Sequence, residues 1–159
     1  MRSRGPAASD ALTPLILLAW GIAVATIDLQ RRRIPHALLL PVLVWAVAGL
    51  LLTGVGPLSQ APVATAAGLG IGLLLTVPGY LLGRVGGGDV KFAALIGALL
   101  GAPAAAAAFV LSGLLFGAQS LHAKLRGRQA ALPMAPALAA GFIVTGPLVG
   151  LALTAGLLQ

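Results

Sequence analysis

Cysteine and glutamate are missing altogether, and acids of any kind nearly so: Asp10, Asp28 and Asp89 are the only carboxylate side chains in 159 residues. Without cysteine there is no disulfide framework, no thiol nucleophile and no Cys-ligated zinc or iron–sulfur centre. Charged residues of both signs make up 8% and aromatics 4% of the chain, while 59% is hydrophobic. With a mean hydropathy of +1.05, the chain has too little polar surface to cover a water-soluble globule. What it has instead is long, uninterrupted apolar runs rich in Ala, Leu and Gly. A transmembrane β-barrel would need short segments of alternating polarity, so the runs read as helices.

The first run, from Ala11 to Ile27, has Arg2 and Arg4 before it and a small-residue stretch, Ala23-Val24-Ala25, near its end, which imitates a signal peptide. Arg31-Arg32-Arg33 directly after it oppose export of the downstream chain, so the run is expected to stay as a membrane helix. Ala37 to Gly83 carries no formal charge and is long enough for two spans, divided at the turn-forming cluster Gly54, Gly56, Pro57, Ser59, Gln60, Pro62. This predicts helices over 37–53 and 63–82, the second kinked at Pro78-Gly79. Gly68, Gly70 and Gly72 give it a small-residue face for close packing. A fourth, short helix ends at Gly101 and measures roughly 20 Å even if counted from Asp89, less than the hydrocarbon thickness of about 30 Å. A fifth spans 104–121, and a sixth continues to Leu158 after the entry Leu132-Pro133-Met134-Ala135-Pro136. The expected fold is thus all-α: one membrane-embedded domain over 1–159, about six transmembrane helices, with no separate soluble module.

The net charge of +7 would point to nucleic acid in a soluble protein. Here the cations sit in the short connections and have no aromatics among them, which favours topology and anionic lipid and excludes a nucleic-acid groove. Six helices put Arg31, Arg32, Arg33, Arg84, Lys91, Lys124, Arg126 and Arg128 on one face, against Arg2 and Arg4 on the other. The crowded face is therefore expected to be cytoplasmic, in a plasma (inner) membrane, with both termini outside. Asp28 and Asp89 then fall on that same side.

A carboxylate beside a membrane segment costs a few kcal/mol and is a functional candidate by default. Two held together cannot both ionise easily; one keeps a proton while the other activates water, which suits peptide hydrolysis. Gly86, Gly87 and Gly88 would let the backbone adopt unusual dihedrals and let an extended substrate approach. Plainer roles compete. Asp89 suits a helix N-cap, Asp28 suits pairing with Arg31 or Arg32, and Lys91 suits snorkelling as well as tuning of Asp89. His36 and His122 are single and far apart, so no metal site is expected, and no cofactor motif is present.

The residues resemble a known family. Asp28-Leu29-Gln30-Arg31-Arg32-Arg33-Ile34-Pro35 resembles the first aspartate motif of type IV prepilin peptidases, and Gly86-Gly87-Gly88-Asp89-Val90-Lys91-Phe92 their Gly-x-Gly-Asp motif. Leu132-Pro133-Met134-Ala135-Pro136-Ala137 with Gly141 is similar to the family's proline-containing stretch near the last helix. His36 stands where Asn is usual and Phe92 where Leu is common. The resemblance implies a polytopic aspartic endopeptidase that cuts prepilin-like proteins at the cytoplasmic face, just before a hydrophobic helix. Asp28 and Asp89 would be the catalytic acids, with Gly86, Gly88 and Lys91 shaping the active-site loop. Lacking the extra domain of the bifunctional members, the chain resembles the short form found with tight-adherence pili, which implies cleavage without methylation. The rival readings are a small proton- or cation-coupled transporter, and a non-catalytic pilus assembly subunit.

Overall fold

The computed structural model describes residues 8–31, 34–58, 60–127 and 134–147. These form six helices, α1 (Ala8–Arg31), α2 (His36–Thr53), α3 (Pro62–Leu81), α4 (Gly87–Leu100), α5 (Ala102–Leu125) and α6 (Ala135–Thr145), with no strand among the described residues. The all-α membrane bundle expected from composition is what the chain forms. Four helices, α1, α2, α3 and α5, are long and apolar enough to cross a bilayer. As its length predicted, α4 is not one of them. The expected continuation of the last helix to Leu158 lies outside the described residues.

Differences from the sequence reading are local. α1 runs one turn past Ile27, to Arg31, so Asp28 lies inside the helix and not after it. Its buried positions, Leu17, Trp20, Val24 and Asp28, recur at three- and four-residue spacing and define one face. α3 starts at Pro62, where a missing N–H costs nothing. Pro78 lies in its last turn, before a reversal closed by Gly83 at φ 68°.

α4 is the centre of the bundle. From Phe92 to Leu100 every residue except Ala94 is buried. Its tightest partner is α3, where a Cβ on Gly68 would fall on the Gly97 carbonyl oxygen and one on Gly97 on the Gly68 carbonyl oxygen. Such backbone contact is the usual use of small residues between membrane helices. α6 packs on α5 in a similar way, since a Cβ on Gly141 would meet the Ala108 carbonyl and the Ser112 hydroxyl. α1 lies mainly along α6, and α2 rests chiefly on α4.

Each end of the bundle is tied by chain reversals. At one end the α1–α2 connection meets the start of α4, with Ile34 in van der Waals reach of Gly88. At the other, Gln60 Nε2 donates to the carbonyls of Ala98 (3.0 Å) and Leu99 (2.6 Å), satisfying groups that the end of α4 leaves unpaired. Its Oε1 accepts from Leu58 N–H.

Candidate active site

Asp28 and Asp89 come together at the end where α4 and α6 begin. Asp89 stands in the first turn of α4, and Asp28, in the last turn of α1, faces the start of α6; at a helix start backbone N–H groups and the dipole favour negative charge. Asp28 projects from α1 onto the first residue of α6 and accepts a hydrogen bond from the backbone N–H of Ala135. It is only 5% exposed, and its Oδ2 is buried with no hydrogen-bond partner among the described residues. A buried carboxylate oxygen without a donor is rare in folded proteins and marks a place where a proton or a substrate group is wanted.

Asp89 is half-buried in the first turn of α4. It is not the N-cap. Gly86 takes that position, with extended backbone (φ −72°, ψ 146°), and the Asp89 carboxylate reaches back to accept from the Gly86 N–H. This is the N3 half of a capping box. Burial and, second, the charge of nearby Asp28 push Asp89 up to about 6, while the Gly86 N–H opposes the rise.

The glycines act by size and not by unusual dihedrals, contrary to the sequence reading. The left-handed glycine of this connection is Gly83; Gly86 is extended and Gly87 and Gly88 are helical. A Cβ at Gly86 would stand 3.2 Å from Asp89 Oδ2, so its absence lets the carboxylate fold back. Gly88 abuts Ile34 and Gly87 the Tyr80 ring, which closes the α1–α2 and α3–α4 connections around the acid.

Lys91 lies elsewhere. Two residues on from Asp89, it is about half a turn round α4. It lines, with His36, Leu39, Leu40, Leu43, Leu69 and Leu95 among others, an apolar cleft of about 340 Å³ between α2, α3 and α4. Among the described residues no cation forms an ion pair with Asp28; Arg31 is exposed, and Arg32 and Arg33 lie outside the described residues. This removes Arg31 from the pairing that competed with a catalytic reading of Asp28.

Sequence reasoning missed three participants. The Ala135 N–H is backbone and has no residue signature. Trp20 and Phe142, which pack against each other between α1 and α6, sit in apolar runs where nothing distinguishes one face from another. The one available signal was Trp20 itself, eight residues before Asp28 and so about 80° round the helix from it, in a chain poor in aromatics.

No curated protein and no solved structure matches the chain significantly. The family model of the type IV leader peptidases does match, over residues 15–121, a span that includes both aspartates and the glycine loop. With two-thirds of its length matched, and with the acids of both resembling motifs meeting at one end of a helical membrane bundle, the chain belongs to the type IV leader peptidase family.

Proposed function

We propose that the protein is an aspartic endopeptidase that removes the leader of prepilin-like proteins at the cytoplasmic face of the inner membrane. Asp28 and Asp89 act as one dyad. The observation that supports this reading is the nearness of two scarce carboxylates, one buried with an oxygen unpartnered among the described residues and the other raised first by burial and then by its neighbour's charge.

Such a pair holds one proton over a range of pH, and the titration belongs to the pair. The ionised member takes a proton from a water, which attacks the scissile carbonyl carbon. The protonated member donates a hydrogen bond to the carbonyl oxygen as it gains charge. The proton taken from water then passes to the leaving amine as the C–N bond breaks. Gly86, exposed and without a side chain, keeps the chain beside Asp89 slim enough for an extended backbone to approach, while Gly88 lets Ile34 pack against the start of α4. Lys91 faces the cleft on the other side of α4, which supports a role in holding the apolar or headgroup surroundings and not in proton transfer.

The crowding of basic residues on the connections near the acids supports a cytoplasmic site. Family membership supports a prepilin-type substrate. The test is co-expression with a prepilin in membranes, following leader removal by gel shift. Asp28→Asn and Asp89→Asn should each lower the rate by about 10²–10⁴-fold or more, the range for losing acid–base catalysis. Unchanged processing in either variant would sink the dyad, and proton-coupled transport without peptide cleavage would replace it.

A further inference from the structure

Asp28 and Asp89 stand on α1 and α4, two helices that do not lie extensively against each other. α1 packs along α6, and α4 is clasped mainly by α3. Something must nevertheless fix the gap between α1 and α4, because the interaction of two carboxylates changes steeply with their separation. The gap is bridged by side chains. The Trp20 ring meets Phe92 of α4 edge-on, with centroids 5.4 Å apart at 64°, and Phe142 of α6 at 5.7 Å and 88°. Its indole N–H donates to the Leu38 carbonyl of α2 at 2.8 Å.

We infer that Trp20 is a positioning residue for the pair of aspartates, its ring edge against Phe92 setting the distance between the helices that carry them. The register supports this. Phe92 follows Asp89 by three residues and Trp20 precedes Asp28 by eight, so the rings lie about 60° and about 80° round their helices from the acids, on the side turned into the bundle, about one turn and about two turns away respectively. Phe142 lies two turns along α6 from Ala135, whose N–H holds Asp28. One indole, carried by α1, therefore touches the other two helices that build the site. Both phenylalanines are fully buried and Trp20 is 8% exposed, so none of the three rings has room to shift without repacking the centre. Among the described residues the other ionisable groups nearby, Arg31, His36, Tyr80, Arg84 and Lys91, are exposed.

The inference rests on the dyad reading, and its test separates the two. Because the chain has only three aspartates and no glutamate, labelling with ¹³Cγ-aspartate in an Asp10→Asn background leaves two side-chain carboxyl signals to titrate in lipid nanodiscs, with no substrate needed. In the parent protein the two signals should follow two steps separated by more than about 1 pH unit, as coupled groups do. Phe92→Leu and Trp20→Leu should draw the steps together. Trp20→Phe, which keeps a ring edge and loses only the bond to Leu38, should keep them apart.

A merely structural Trp20 would lower the melting temperature in these variants and leave the separation of the steps unchanged. That result, in variants shown to be helical by circular dichroism, overturns the inference. If Trp20→Leu does not fold, Phe92→Leu decides, since it removes the same contact from the other side. Asp28→Asn is the control for the dyad. If Asp89 titrates identically in that variant, the pair is uncoupled and the dyad itself falls; if it moves while Phe92→Leu changes nothing, only Trp20's role falls.

Discussion

Asp89 is built to keep its proton unusually long for an aspartate. Burial is the main cause and the charge of Asp28 the second, and together they hold it up to about 6. The sign fixes the shape of the activity profile. The proton stays on as pH rises past the ordinary aspartate range and leaves through about 6, so a one-proton dyad loses activity on the alkaline side. The pH dependence of kcat/KM should therefore be bell-shaped; a rate still rising beyond about pH 8 would contradict the assignment. That these two acids matter was legible in the sequence because carboxylates are so scarce and both border apolar runs. What holds them was not. A backbone N–H has no sequence signal, and Asp89 could be read as an N-cap because Gly86, which has no side chain to cap with, takes that place instead.

Among the elements, α3 and α4 show most clearly what periodicity can and cannot tell. The glycines of α3 announced a close-packed face, but not its partner or which of them it uses. Gly68 and Gly72, one turn apart, lie against α4, whereas Gly70 looks into open space. Alanine at Gly70 should therefore be tolerated, within about 0.5 kcal/mol. Alanine at Gly68 should cost about 1–3 kcal/mol or more, because its methyl would need the backbone of Gly97 to move. Thermal unfolding in detergent compares the two, and equal stability would mean that the α3–α4 contact is looser than described. Helix existence and the shortness of α4 were readable from run length and the turn residues. The buried faces were not, since helices apolar all round give no amphipathic stripe to read.

At the scale of the molecule, Ile34 before α2 and the reversal 81–87 meet beside Asp89, and Gln60 closes the opposite end. The unequal basic charge predicts which end faces the cytoplasm, and the lack of cysteine makes this easy to check. Single cysteines at Arg84 and at Val55 in intact cells should differ: an impermeant maleimide should label position 55 and spare position 84. The reverse pattern would put the acids on the outer side and remove the cytoplasmic cleavage scheme.

The brevity of α4 affects its surroundings. Fourteen residues make a rod of about 21 Å, some 9 Å less than the oily slab is deep. With Asp89 at the rim where chain reversals gather, the deficit falls at the far end, where Gln60 reaches in to meet the last carbonyls. The Gln60 amide, reaching past the ends of α2 and α3 to where α4 stops, is thus the polar group expected to lie deepest from that side, and the leaflet around it is expected to thin. Lipids with longer tails would have to deform further to seat the protein, tying the comfort of this hydrolase to the thickness of the membrane that holds it.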